Sequence, residues 1–309
     1  MTNGGSVTSE DHVRSTQAAW AARLARGPQF TMPLGSGPGQ ALEGFWRELF
    51  MTAPEGARIL ELGCGGGHLS LWAAQTGRGF RVVASDLHAQ AEGVHRHPAI
   101  SFVGGARVEA LPFADQCFDL VVSNFAIEYG RPEDAYRELF RVMAPGASAA
   151  LVLHSTDSSV TANSRLAIEV FTEFERGGVP EDLRQAAALR PDHLSRRKLL
   201  KGILNRRSST LSQPPAPSYF DLAERLLKGE PSARRDLAAL DDEVAMRLAF
   251  YRDQTRVALD AAAFQALCSR LAAQGLEVKP SELECFHDNA PPEKIGWLLQ
   301  LARPQGVAA

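Results

Sequence analysis

Ile59-Leu60-Glu61-Leu62-Gly63-Cys64-Gly65-Gly66-Gly67-His68 is the stretch that decides the fold. It reads as an apolar strand carrying one acidic residue, then a glycine turn that enters a helix. Glycines at 63 and 65 permit positive φ and let a bulky ligand approach the backbone with no Cβ in the way. Such a turn at the carboxyl end of a first strand lies at the switch point where open α/β sheets bind ligands. Gly63-x-Gly65 also opens the dinucleotide-binding fingerprint, but that pattern's third glycine would fall at position 68, which is His68. A pyrophosphate is held by helix amides and their dipole, whereas a carboxylate at Glu61 suits a cationic ligand.

Outward from this turn, short apolar runs alternate with helical stretches, the texture of a parallel sheet with crossover helices. The pattern predicts strands at 58–62, 80–85, 100–103, 120–123 and 149–154. Helices are expected at 67–75, 89–95 and 133–142, the last ended by Pro145-Gly146. Upstream, apolar residues at helical spacing predict a helix at 15–26, stopped by Gly27-Pro28. A second follows at 40–51 with Leu42, Phe45, Trp46, Leu49 and Phe50. After His154 the alternation stops, and a long Ala-, Leu- and Arg-rich stretch of helical periodicity reads as an insertion. It contains a basic segment (Arg196, Arg197, Lys198, Lys201, Arg206, Arg207) and a Pro-rich hinge at 212–218. The core resumes with a helix at 262–274, then Gly275-Leu276-Glu277-Val278 and 295–302 as two strands paired in antiparallel fashion.

The expected architecture is α/β. It is a Rossmann-like, doubly wound sheet, mostly parallel with an antiparallel last strand, plus N-terminal helices and a helical insertion after the fifth strand. The domains are a disordered N-terminus at 1–14, helices and first core part at 15–155, the insertion as a cap or lid at 156–260, and the last core elements at 261–309.

Glu61-x-Gly63-x-Gly65-x-Gly67 resembles the first motif of class I S-adenosylmethionine-dependent methyltransferases of the small-molecule or tRNA type, and further segments agree in order. Val82-Val83-Ala84-Ser85-Asp86 ends a second strand on the carboxylate that this family uses for both ribose hydroxyls, with Leu87 next. A carboxylate's two oxygens accept from two vicinal hydroxyls. Glu109-Ala110-Leu111-Pro112-Phe113 through Asp119 resembles the loop after the adenine site. Leu120-Val121-Val122-Ser123-Asn124 resembles the fourth strand, whose end lies by the methionine part of the cofactor. Glu138 to Gly146 resembles the helix and turn before the fifth strand. The resemblance covers residues 40–155 and 262–303 and implies S-adenosyl-L-methionine as cofactor, bound by Glu61, Gly63, Gly65, Gly67, Asp86, Leu87, Val108, Glu109, Ser123 and Asn124. One departure stands out: the family's Asp-Ala adenine pair is replaced by Arg107-Val108. The Val108 amide still donates, but Arg107 does not accept, which shifts the adenine contact to Glu109 or to a displaced loop.

The resemblance implies methyl transfer by in-line displacement from a sulfonium, with alignment of the nucleophile supplying about 7–11 kcal/mol. A general base adds roughly 10²–10⁴ in rate for a protonated acceptor. The candidates at the carboxyl ends of the fourth and fifth strands are Glu128, Tyr129 and His154. Their plainer readings are a loop residue, a pocket wall and a strand-end residue.

The acceptor is expected to be a small molecule, with O- or N-methylation. An RNA or protein acceptor meeting the basic segment is the alternative, and a non-catalytic binding or scaffold protein the third reading. Lys and Arg total 33 against 36 for Asp and Glu, so no global field recruits nucleic acid or membrane. No apolar run approaches the roughly 20 residues of a membrane span, and a cytoplasmic location is expected. Cys64, Cys117, Cys268 and Cys285 are widely spaced, which argues against a disulfide framework or structural zinc; no metal is expected. The N-terminal helices and the insertion are expected to form a lid over the acceptor, with Trp20, Phe30, Trp46, Phe220, Phe250 and Tyr251 available to line it.

Overall fold

Strands form where β-branched and leucine residues alternate between two buried faces. Ile59, Val122, Ala150 and Val152 pack into one apolar cluster, while Leu60, Val121, Leu151 and Leu153 pack into another. A sheet buried on both sides follows from that period of two. The computed structural model describes residues 37–88, 97–190, 192–205, 216–287 and 291–306. The expected helices at 15–26 and 89–95, the N-terminus at 1–14, Arg206, Arg207 and residues 212–215 of the hinge lie outside them.

The first described element is helix α1 (Gly37–Thr52), which buries Leu42, Trp46 and Phe50 along one stripe. Strand β1 (Arg58–Leu62) leads through the glycine turn into α2 (His68–Gln75), then β2 (Arg81–Asp86), β3 (Ile100–Gly104) and β4 (Phe118–Asn124). A 3-10 turn at Ile127–Tyr129 precedes α3 (Pro132–Val142) and β5 (Met143–Leu153). Seven strands pair in the order β3-β2-β1-β4-β5-β7-β6, with β6 at Glu277–Cys285 and β7 at Glu293–Ala302. The neighbours from β3 through β5 pair parallel, and β7 runs antiparallel to both β5 and β6. The order reverses between β1 and β4, so their carboxyl ends flank the switch-point crevice. The expected sheet, including its reversed last strand, is the one observed. Pro280 sits in β6, an edge strand where a missing amide is tolerated.

One expected boundary is corrected. Helix α3 stops at Val142 as expected, but the fifth strand begins well before residue 149: Met143 already pairs with Phe118 in the sheet. The register then shifts, so that Leu120 faces Ser148, and Gly146 takes φ 79 inside the strand. The buried Arg303 guanidinium holds this start by donating to Phe140 O and, at 2.6 Å, to Met143 O. Arg141 fastens the loop after the expected adenine position, donating to Phe113 O and Leu111 O while Glu138 accepts the Leu111 amide at 2.7 Å.

The chain divides into two compact units, 1–162 with 254–309, and 163–253. In the first, α9 (Ala261–Ala273) is started by Asp260, whose side chain accepts from the Ala263 amide. In the second, α5 (Val179–Ala188), α6 (Leu194–Asn205) and α7 (Ala216–Leu227) lie wholly within the unit, with α4 (Ser159–Arg176) and α8 (Ala233–Val257) contributing most of their length. Their apolar faces close on Phe171, Phe174, Leu183, Tyr219, Phe220 and Leu237. Phe220 is fully buried there, so it lines no lid, and residues 216–218 of the expected hinge begin α7. Arg196 of the basic segment is 3% exposed and donates to Leu226 O, which spends one expected phosphate contact on the unit's own core. No helix among the described residues is long and apolar enough to cross a membrane. All four cysteines are free, and no cluster of metal-ligating side chains occurs among the described residues.

Candidate functional site

The glycine turn leaves β1 through three left-handed residues, Gly63 at φ 64, Gly65 at φ 50 and Gly67 at φ 73. Gly63 is obligatory on two grounds, because an added Cβ would also lie 2.3 Å from the Ala126 Cβ just after β4. An added Cβ at Gly65 would meet nothing within 4 Å, so space for a ligand opens in front of that backbone.

Glu61, near the end of β1, is 3% exposed, and its carboxylate accepts from the Ser70 amide at 2.9 Å and from the Ser70 hydroxyl. Ser70 is the third residue of α2, so the carboxylate caps a helix amino end that no side chain of its own N-cap serves. Burial pushes the Glu61 carboxyl up to about 8, against the Ser70 hydrogen bonds that hold it down and with the nearby Asp86 charge adding to the rise. Burial also pushes the Cys64 thiol far above its ordinary range, which makes it inert.

Asp86 ends β2 and stands beside the turn. Its Oδ2 accepts from the Gly65 amide at 2.9 Å and its Oδ1 from the His88 amide at 2.8 Å, so both oxygens are fixed in direction by backbone donors. Each keeps further acceptor capacity for a hydroxyl. Leu87 follows it, half-buried.

The remaining residues expected to hold the cofactor are placed less uniformly. Arg107 and Glu109 pair with each other at 3.6 Å, and Glu109 also accepts from the Arg131 amide at 3.2 Å. Val108 lies between them against Gly130, where an added Cβ would come within 2.4 Å of Val108 Cγ2. The Ser123 hydroxyl is fully buried, accepts from the Ile127 amide and donates to Leu62 O, which ties the 3-10 turn to the strand end. Asn124 Oδ1 accepts from Trp46 Nε1 at 3.1 Å, so α1 is anchored at the carboxyl end of β4 and Trp46 is itself wholly buried.

The three catalytic candidates come together. Glu128 and Tyr129 form the 3-10 turn after β4, and His154 follows β5. His154 Nδ1 lies 2.7 Å from Glu128 Oε1, and the same oxygen accepts from the His154 amide at 3.1 Å. The side chains are 1% and 4% exposed. The Tyr129 ring meets the imidazole edge to face, with centroids 5.9 Å apart.

Two residues that shape this corner were not singled out from the sequence. Phe125 adopts φ 54, a strained conformation for a bulky residue, and its ring packs 4.5 Å from the imidazole. Gly296 in β7 makes room for it, since an added Cβ would sit 2.6 Å from Leu153 O and 3.0 Å from Phe125 Cε1. A glycine inside an apolar strand was the available signal.

Residues 60–151 match a family model described as a methyltransferase domain. The chain is 39% identical over 100 residues to a malonyl-[acyl-carrier protein] O-methyltransferase of Pectobacterium atrosepticum, a match covering 31% of this chain and 38% of that protein. It is 32% identical over 142 residues to the ubiquinone/menaquinone biosynthesis C-methyltransferase UbiE of Xylella fastidiosa, covering 42% of this chain and 55% of the relative. The chain thus spans about two fifths to just over half the length of these curated relatives. Among solved structures it is similar to a Burkholderia thailandensis 1,6-didemethyltoxoflavin-N1-methyltransferase, at a TM-score of 0.41 and 15% identity over 50% of this chain and 68% of that one.

Proposed function

We propose that this chain, which carries a methyltransferase domain over residues 60–151, binds S-adenosyl-L-methionine and transfers its methyl group to a small-molecule acceptor. The observation that carries the reading is the pair of carboxylates set around an open glycine turn at the switch point: Glu61 buried beneath it and Asp86 bonded to its Gly65 amide. These residues fit the donor's chemistry. The space in front of Gly65 admits a bulky ligand, Asp86 sets a carboxylate beside the turn where a dinucleotide's pyrophosphate would need positive charge, and its oxygens are directed for hydroxyl donors. When bound, the sulfonium supplies an already activated methyl group whose leaving group is a neutral thioether.

The protein's share of the work is then alignment and exclusion of water. Asp86, with Leu87 beside it, would hold the sugar edge. The Val108 amide and the Arg107–Glu109 pair would border the ring edge, and Glu61 with Gly63, Gly65 and Gly67 the cationic end. Ser123 and Asn124 contribute by fixing the end of β4, through Ile127 and Trp46 respectively. Glu128, Tyr129 and His154 stand on the acceptor side.

Calorimetric titration with S-adenosylmethionine, beside an Asp86→Ala control and NADH as rival ligand, tests this. Binding lost in the control supports the reading. Absence of binding in the unaltered protein refutes it in favour of a scaffold that kept the fold without the activity.

A further inference from the structure

We infer, resting on the methyltransferase reading, that His154 oriented by Glu128 is the general base and that the acceptor bears a hydroxyl from which it takes the proton. A carboxylate oxygen accepts, so Nδ1 facing Glu128 Oε1 at 2.7 Å carries the ring proton and Nε2 presents the lone pair. Nε2 and Glu128 Oε2 are both buried and have no hydrogen-bond partner among the described residues. A buried polar atom left unpaired is costly, and both of these atoms are acceptors, so a ligand that satisfies them brings donors. A hydroxylated molecule does so; a carboxylate does not.

The corner is joined to the glycine turn. Ala126, the residue against which Gly63 packs, lies two positions before Glu128. Phe125, strained at φ 54 and crowded against Gly296, packs its ring 4.5 Å from the imidazole. Strain held at such a point marks a functional constraint. The titratable groups the structure sets against the ring are Glu128 and Tyr129. On β7 the residue paired with Leu153 is Trp297, and Lys294 is held by Asp157 and Glu282.

In the reaction the hydroxyl proton passes to Nε2 as the oxygen forms its bond to the methyl carbon. The methyl–sulfur electron pair leaves on sulfur, and the imidazolium so formed faces the Glu128 carboxylate until it returns its proton to water. Atoms and charge balance: one sulfonium cation is consumed and one imidazolium cation produced. Glu128 acts through His154 and is a positioning residue.

The test uses full-length protein with catechol as hydroxyl probe and thiophenol, a thiolate at pH 8, as a probe needing no base. S-adenosylhomocysteine formation is measured alongside donor binding. His154→Gln is expected to lower catechol turnover by roughly 10²–10⁴ and remove the acid limb of its kcat/KM profile, leaving donor Kd and thiophenol turnover within about threefold. Glu128→Gln is expected to lower kcat for catechol with KM little changed and to shift the His154 Nδ1 proton resonance upfield. Nitrogen-15 NMR of the unaltered protein is expected to show His154 protonated on Nδ1, a readout independent of turnover and of whether variants fold. Protonation on Nε2, an equal loss for both probes, or no catechol turnover by protein that binds the donor overturns the assignment. Failure of the unaltered protein to bind the donor overturns the reading beneath it.

Discussion

Replacing Glu61 by Gln removes one titration and keeps the shape. The amide oxygen still accepts from the Ser70 amide and hydroxyl, so the cap on α2 survives at any pH. In the unaltered protein without ligand, the folded carboxyl is pushed up to about 8 from its ordinary 4.5. Between these values the folded state holds a proton that the unfolded chain has lost, so stability falls as pH rises through the window and levels off above it. At 1.36 kcal/mol per unit the loss is about 5 kcal/mol. For a domain of about 150–250 residues this corresponds to roughly 10–20 °C in Tm. Differential scanning calorimetry of both proteins from pH 4.5 to 8.5 should therefore show curves that nearly coincide at the acid end. They should diverge with the Gln variant the more stable, the gap ceasing to grow above about pH 8. A gap that stays constant across the range would refute the reasoning, since it would mean that Glu61 is ionised throughout and its burial costs nothing.

Asp86→Ala should weaken S-adenosylmethionine binding by at least tenfold in calorimetry and also loosen the glycine turn, read as faster amide hydrogen exchange at Gly65, whose N–H it holds. Gly63→Ala should lower stability by more than the roughly 1 kcal/mol of a simple left-handed penalty, because the new Cβ would overlap Ala126; chemical denaturation measures it. Gly296→Ala should displace Phe125 and broaden or shift the His154 ring resonances while leaving donor affinity unchanged. Phe220→Ala should cost about 3–5 kcal/mol in the unfolding of the 163–253 unit, separable by hydrogen exchange from the sheet.

The sheet was legible because its determinants are local and repeated. Five apolar runs, the glycine turn and the reversed last strand are each written in a few adjacent residues. Asp86 and Glu61 were legible for the same reason, as residues at fixed offsets from a strand end. Where a side chain's partner is distant, the sequence was silent. Nothing near Ser123 or Asn124 indicates that Leu62 and Trp46, 61 and 78 positions away, engage them. The start of β5 was placed late because Pro145-Gly146 is a strong local break, yet pairing of Met143 with Phe118 wins the residues around it for the sheet. Phe125 was invisible because no phenylalanine advertises a positive φ; only its neighbour Gly296, far along the chain, betrays the crowding.

The segment before the inserted helices and the segment after them are stitched together at one rung. Leu259 donates its amide to His154 O, its own carbonyl accepts from the Thr156 amide and from Trp297 Nε1, and Ser155 and Leu259 form an isolated parallel bridge. An excursion that departs and returns at the same rung imposes no register on the strands around it. Its length and content are free to drift in descent while the sheet stays as it is. The stitch passes through the backbone of His154, so such drift leaves that residue's place at the end of β5 unchanged.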